Sequence, residues 1–305
     1  MQHSHRPFAY ESADFKAMCA LIVRDNAMKK EAFVWHVARL VDWKYNLINP
    51  RRRFPGHYAQ AAHLWFNYFD ELVGFVVSEE FDCQFDIILL DEYNYLYSEM
   101  LAWVRAEWGP KYPELVTIAA EPHANRLAAL EAAGYKRTGD IEMTRTFDTS
   151  QFADYAYPAA PLRFESMAEN GDYANQQRLR GSAWPHSEDE LTLKAIGDYC
   201  RTSPIYNAQF DFVLVDGTGT HVSGCEAFID RVNNTAEVER VCTHADHQGK
   251  GYAQMALRSC LRRLHENQIP TAFLSGGYDK TIYLYGKLGP VQEVTRHFYR
   301  LEVVM

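Results

Sequence analysis

His247-Gln248-Gly249-Lys250-Gly251-Tyr252-Ala253 decides how this chain is read. The stretch follows an apolar, β-favouring run from Val238 to Thr243 and opens a helical pattern that reaches about Asn267. A glycine-rich turn between a strand and a helix N-terminus is suited to holding phosphate. Gly249 and Gly251 let the backbone bend tightly and approach a ligand with no Cβ in the way. The first amides of the helix have no intrahelical partner, and the helix dipole adds partial positive charge where they point. Lys250 adds a full charge. The stretch reads as a pyrophosphate cradle.

Two common phosphate loops do not fit. A P-loop needs four residues between its glycines and then Gly-Lys-Ser/Thr. A dinucleotide fold needs Gly-x-Gly-x-x-Gly in an early βαβ unit, with an acidic residue on the next strand. Gln248-x-x-Gly251-x-Ala253 instead resembles the Gln/Arg-x-x-Gly-x-Gly/Ala signature of the GNAT superfamily of N-acetyltransferases. A second match lies downstream, from Tyr278 to Gly289. It is similar to the family's later helix, Asn-x-x-Ala-x-x-Leu-Tyr-x-Lys-x-Gly-Phe, with Leu284, Tyr285, Lys287 and Gly289 in register. Tyr278, Thr281 and Pro290 depart from the usual Asn, Ala and Phe. The two motifs stand in the family's order, separated by a short strand from Thr271 to Ser275.

The resemblance implies an α/β fold with a mixed sheet and direct transfer of an acetyl group from acetyl-CoA to a primary amine. In such a domain Val241, Cys242 and Thr243 hold the pantetheine and thioester. Gln248 and the amides of Gly249, Lys250, Gly251, Tyr252 and Ala253 hold the pyrophosphate. Tyr278, in place of the Asn, can stack on the coenzyme or hydrogen-bond to it. Tyr285 is the phenol that protonates the leaving thiolate; with an ordinary pKa of about 10 it is a donor at neutral pH. Two carboxylates compete as general base. Glu237 lies eleven residues before Gln248, where some family members carry a catalytic glutamate, and Glu239 lies nearer the reaction centre. The two share a strand face. Glu226, on the preceding strand, is a third candidate. Cys242 invites a covalent mechanism, but no His-Asp pattern is placed to activate it, and a small buried hydrophobe is the commoner role.

The chain has 305 residues, which suits two domains of about 150. A hydrophobic content of 47% is enough for two cores. The formal charge of −9 argues against a nucleic-acid footprint. Six scattered cysteines without a CxxC fit a reducing compartment and argue against both a zinc site and a disulfide framework. No run approaches a membrane span, and the first residues carry no apolar leader core. The expectation is a cytoplasmic enzyme with a small-molecule amine substrate, no metal, and no membrane or nucleic-acid partner. Oligomeric state is left open.

The organisation expected is a tandem repeat: a degenerate GNAT-like domain over 1–148, a linker over 149–161 carrying two prolines, and a catalytic domain over 162–305. In the second half, strands at Leu162–Glu165, Phe210–Val215, His221–Asp230 and Ala236–Thr243 precede the loop, with hairpin signals at Asp216-Gly217 and Asn233-Asn234. His297 to Val304 supplies the last strand. The first half repeats this order, with a helix ending at Gly134-Tyr135 as the later one ends at Gly289. Its chemistry is missing. Leu90-Asp91-Glu92-Tyr93 replaces the glycine turn, with carboxylates that would repel a pyrophosphate, and Leu130 replaces Tyr285. Arg51-Arg52-Arg53 reads as a solvated loop. Trp43, Tyr45, Trp65, Phe66, Tyr68 and Phe69 read as core. A non-catalytic acyl-CoA-binding module is the rival reading; retention of Tyr285 and the glutamates favours the enzyme.

Overall fold

The computed structural model describes residues 3–10, 12–29, 35–45, 55–120, 123–184 and 190–303, without the side chains of 55–57 and 190–193. The arginine run at 51–53 lies outside the described residues. The chain divides into two compact units: Met1–Trp43, Ile48–Thr144 and Val294–Met305 form the first, Lys44–Leu47 and Arg145–Glu293 the second.

In the first unit, β1 (Ser4–Pro7), α1 (Asp14–Lys29), α2 (Val37–Tyr45) and α3 (Pro55–Ala61) precede β2 (Ala62–Phe66), β3 (Leu72–Val77) and β4 (Gln84–Leu89). A 3-10 turn over Asp91–Leu96 leads into α4 (Tyr97–Glu107), then β5 (Glu114–Ala120) and α5 (Ala124–Ala132). The long strand β6 (Lys136–Asp148) carries the chain into the second unit. There β7 (Arg163–Ser166), α6 (Met167–Asn170), α7 (Tyr173–Ala183) and α8 (Glu190–Cys200) precede β8 (Asp211–Val215), β9 (His221–Asp230) and β10 (Thr235–Thr243). After them come α9 (Tyr252–Glu266), β11 (Thr271–Gly276) and α10 (Asp279–Gly286). The last strand, β12 (Gln292–Glu302), returns to the first unit, where it pairs antiparallel with β5.

Each unit builds the same mixed sheet. Neighbouring strands are antiparallel from β1 through β4 in the first and from β7 through β10 in the second. One parallel pair follows in each, β4 with β5 and β10 with β11. The repeat read from the sequence is therefore present in the backbone. β9 is buried along its whole length, which explains why it reads as an unbroken strand. One side of it, with Cys225, Ala227 and Ile229, joins the core completed by Leu257, Leu261 and Leu264 of α9. Asn234 adopts a left-handed conformation in the β9–β10 turn. In the β8–β9 turn the left-handed residue is Gly219 rather than Gly217, because the Asp216 carboxylate gathers the amides of Thr218 and Thr220 and widens the loop.

Three expectations change. The segment 149–161 is packed rather than a free linker. Thr149 donates to the carbonyls of Ile269 and Pro270, and Phe152 enters the core beside α9. Tyr157 stacks on Phe164 and donates to Glu266. Three aromatic rings in thirteen residues bury too much apolar surface to stay in solvent. Next, the C-terminal strand completes the first unit rather than the second, with Arg296 opposite Ala120 and Glu302 opposite Glu114. Alternation identifies a strand, but its partner is set by long-range register. The second unit closes instead on the end of β6, where Val291 N–H donates to Thr146 and Arg145 pairs with Glu293. Finally, Tyr68 and Phe69 are exposed on the β2–β3 hairpin, whereas Trp43, Trp65 and Phe66 are core.

Gly224 of β9 fixes how closely the strands approach. A Cβ there would stand 2.7 Å from the Phe212 carbonyl oxygen and 3.3 Å from Leu179 of α7. The first neighbour is backbone and cannot swing away. Gly224→Ala is expected to lower unfolding free energy by about 1–3 kcal/mol, read as a fall in the urea midpoint. An unchanged midpoint would show that the strands give way freely.

Candidate active site

The parallel pairing of β10 with β11 covers only Thr235–Glu237 against Thr271–Phe273. Beyond it β10 runs on to Thr243 and β11 to Gly276 without pairing to each other, so a wedge opens in the sheet. At the open end of β10 the chain makes a turn over Ala245–His247, then passes through Gly249 (φ 75°) and Gly251 (φ 80°) into α9. The first helical bond there runs from Met255 N–H to the Gly251 carbonyl. The amides of Tyr252, Ala253 and Gln254 precede it, so they have no helical acceptor and point out of the positive end. Gln248, Gly249, Lys250 and Gly251 are exposed. A Cβ on either glycine would meet nothing within 4 Å. The requirement for glycine here is therefore the left-handed backbone. Lys250 Nζ lies 3.3 Å from the Asp246 carbonyl oxygen, which keeps its charge beside the turn.

Val241, Cys242 and Thr243 form one wall of the wedge. Ser223 Oγ donates to the Cys242 carbonyl at 2.6 Å. Burial pushes the Cys242 thiol up to about 12, against the pull of Arg180. Burial that disfavours the thiolate weighs against the covalent alternative. Tyr285 of α10 is 6% exposed and lies against the end of β11, where a Cβ on Gly276 would stand 3.3 Å from its ring. Burial drives its phenol above the ordinary tyrosine value; the Glu239 charge adds to the rise and Arg145 opposes it. The hydroxyl thus stays protonated. Glu237 is buried at the point where the strands part, and Glu239, two residues on, is half-buried. Its electrostatic effect on Tyr285 links the two candidate proton-transfer groups. Tyr278 stands at the start of α10 with 82% of its surface exposed.

Glu226 is the most enclosed of the three candidate carboxylates, and burial raises its carboxyl against the pull of Arg240. It is fully buried, and Oε2 accepts from Arg240 at 2.6 Å and from Arg180 at 3.2 Å. Neither arginine stood out in the sequence. Arg180 sits in a polar helix of ordinary composition, and the left-handed backbone of Arg240 (φ 53°) has no signature in a run of strand-forming residues.

The first unit contains the same parting of strands. β4 and β5 pair only at Gln84–Val116 and Phe85–Thr117. Here the chain fills its own wedge. Arg126 of α5, almost fully buried, donates to the Leu89 carbonyl at 2.7 Å and to Asn94 at 3.1 Å. Lys29 of α1 donates to the same carbonyl at 3.0 Å. Asp91 lies 3.2 Å from Lys29 and 3.4 Å from Arg126, and Glu92 pairs with Arg24. Burial alone would raise the Asp91 carboxyl, but Lys29 and Arg126 hold it below the usual range. The expected repulsion of a pyrophosphate by these carboxylates therefore needs revision. They are neutralised, and what stands in the wedge is Arg126 with Lys29. Leu130 is buried in the core.

Residues 174–289 match the family model described as acetyltransferase (GNAT) family. Among solved structures, a tandem GNAT protein from the clavulanic acid biosynthesis pathway superposes with a TM-score of 0.65 at 12% identity, covering 100% of this chain and 99% of its own. A GCN5-related N-acetyltransferase from Sphaerobacter thermophilus gives 0.58 at 15% identity, with coverage of 99% and 96%. A GNAT-family acetyltransferase from Colwellia psychrerythraea gives 0.55 at 10%, with 98% and 100%. At these identities the likeness concerns the fold. No curated protein matches the chain by sequence. Among the described residues no helix is long and apolar enough to cross a membrane. The segment 174–289 thus matches a family whose chemistry is acyl transfer from acyl-CoA, and the chain as a whole shares the fold of a tandem GNAT protein.

One buried acid of the first unit gives a test by pH. Asp86 lies on β4 just past the last parallel pair, and burial pushes its carboxyl from the ordinary 3.8 up to about 6. Arg39 and Arg296 oppose the rise; Glu79 and Glu142 add to it. A folded-state value above the unfolded one means that ionised Asp86 destabilises the fold. The penalty is absent below the unfolded value and complete above the folded one. Asp86→Asn is expected to raise unfolding free energy by about 2–3 kcal/mol near pH 8, and by little near pH 4. Urea midpoints at the two pH values measure it; a gain of equal size at both would mean that ionisation is not the cause.

Proposed function

We propose that the second unit transfers an acetyl group from acetyl-CoA to a primary amine of a small molecule, and that the first unit takes no acetyl-CoA. The observation that carries this reading is the wedge between β10 and β11, with the Gly249–Gly251 turn at its mouth. Strands that part leave main-chain donors and acceptors along their inner edges, and a pantetheine amide chain is complementary to them. The exposed turn and the start of α9 offer amides to the pyrophosphate that follows.

The residues supply the proton transfers. Glu239, half-buried and electrostatically linked to Tyr285, is the preferred base, directly or through a water, with Glu237 behind it. The free amine attacks the thioester carbonyl carbon. As the C–N bond forms and the C–S bond breaks, the departing sulfur takes a proton from Tyr285. A phenol kept protonated by burial suits that step. The net charge of −9 is compatible with a cationic amine substrate. The filled wedge of the first unit supports a single coenzyme site per chain.

Calorimetric titration with acetyl-CoA is expected to saturate at about one equivalent per chain. Gly251→Glu forces a side chain and a negative charge into the left-handed turn and should abolish binding. Unchanged affinity would sink the cradle. For Tyr285→Phe, thiol release from acetyl-CoA in the presence of an accepted amine should fall about 100-fold in kcat, with the acetyl-CoA Kd within about twofold. Parent-like kcat would remove the phenol from the mechanism.

A further inference from the structure

In the transfer proposed above, Tyr285 gives up a proton, and a buried group that does so becomes a buried anion. Its surroundings oppose that. The phenol is 6% exposed, and the charges of Glu239 and of the Cys225 thiolate would both act against a phenolate. An anion formed in such a place without a nearby cation is strongly disfavoured.

The cation is Arg145. It stands near the end of β6, two residues before Phe147, so the two share a face of the strand. Phe147 and Tyr285 belong to the same core. The Arg145 side chain is 4% exposed. A Cβ placed on Gly286, the residue after Tyr285, would stand 3.5 Å from Arg145 Nη2 and 3.8 Å from its Cζ. The guanidinium therefore lies against α10 beside the residue that carries the phenol, with no side chain at 286 between. Its charge lowers the proton affinity of Tyr285, against burial and Glu239.

An arginine kept only for structure spends its donors. Arg145 does not. Its Nε donates to Glu293 at 2.5 Å, and Glu293 is itself 44% exposed. Among the described residues, its buried Nη1 meets no acceptor. One half-exposed carboxylate is weak compensation for a guanidinium so enclosed. Nor does arginine escape the cost by losing its proton.

We infer that Arg145 is a positioning residue acting through Tyr285: it is the counter-charge for the phenolate formed when the phenol protonates the departing sulfur. The inference rests on the acetyl-CoA reading above. The C–S bond breaks with its electron pair going to sulfur. The Tyr285 proton joins that sulfur, and the negative charge is left on the phenol oxygen. A proton shed by the attacking nitrogen then restores the phenol. Arg145 stays charged throughout, so the stabilising field is in place before the proton moves.

The test places difluorotyrosine at position 285, where fluorination lowers the phenol's proton affinity into a measurable range. Its titration is followed by fluorine NMR, without coenzyme, in the parent, Arg145→Met and Arg145→Lys. For the same substitutions, kcat and acetyl-CoA Kd are measured with tyrosine and with phenylalanine at 285. Arg145→Met should raise the titration midpoint by about one pH unit or more. It should lower kcat about tenfold or more, with Kd within about twofold. Arg145→Lys should recover most of both effects. With phenylalanine at 285, Arg145→Met should cost less than about twofold in kcat, because the group it acts through is gone. Arg145→Gln takes the place of the methionine variant if that one fails to fold, since glutamine still donates to Glu293. An unmoved midpoint overturns the inference. So does an equal fall in kcat with and without the phenol, the mark of a merely structural arginine. Failure of the parent to bind acetyl-CoA is a separate outcome, read independently of the midpoint: it removes the coenzyme reading, and the role in transfer with it.

Discussion

The structure turns on two parallel strands that begin as partners and then part. Main-chain donors and acceptors at such a parting must find other partners, because leaving them buried and unmet costs as much as a lost hydrogen bond. The two units meet this requirement in opposite ways. In the first, Arg126 and Lys29 converge on the Leu89 carbonyl at the end of β4, and Asp91 balances their charge. In the second, the corresponding edge leads to a glycine turn and an open helix N-terminus. The same backbone constraint thus yields a wedge filled by the chain's own side chains in one copy and one that leads to an exposed glycine turn in the other. A wedge with neither a ligand nor an internal donor would be a defect in the core.

The glycine turn was legible in the sequence because its signal is a torsional one: Gly249 and Gly251 are needed for positive φ, not for space. β9, α9 and α10 were legible for a related reason, since their burial follows a local period. What could not be read depends on partners far along the chain. Arg126 reaches the Leu89 carbonyl across 37 residues, and nothing in the helix around it distinguishes a plug from a surface arginine. The last strand has the alternation of any strand, and only pairing with β5 assigns it to the first unit. The proline-containing segment after β6 suggested a tether by composition, but its aromatic rings decide the matter by packing. Of the candidate site, the turn, Tyr285 and the two glutamates were found by motif and spacing. Arg180 and Arg240, which meet at Glu226, were not, because a pairing between distant residues and the left-handed backbone of Arg240 leave no trace in composition.

The carboxylates of β9 and β10 show why the buried charges are arranged as they are. Glu226 and Glu239 stand directly opposite each other in register. Like charges in that relation repel, and the low dielectric of the interior strengthens the repulsion. Two guanidiniums on Glu226 offset its charge and commit it to structure. Glu239 is then the member of the pair whose charge is felt at Tyr285. The two acids therefore stand in different surroundings: Glu226 is enclosed with Arg240 and Arg180, and Glu239 is half-buried near the phenol. Replacing either arginine would do more than loosen the strand. It would restore the repulsion between the two acids and shift the proton affinity of the one next to the phenol.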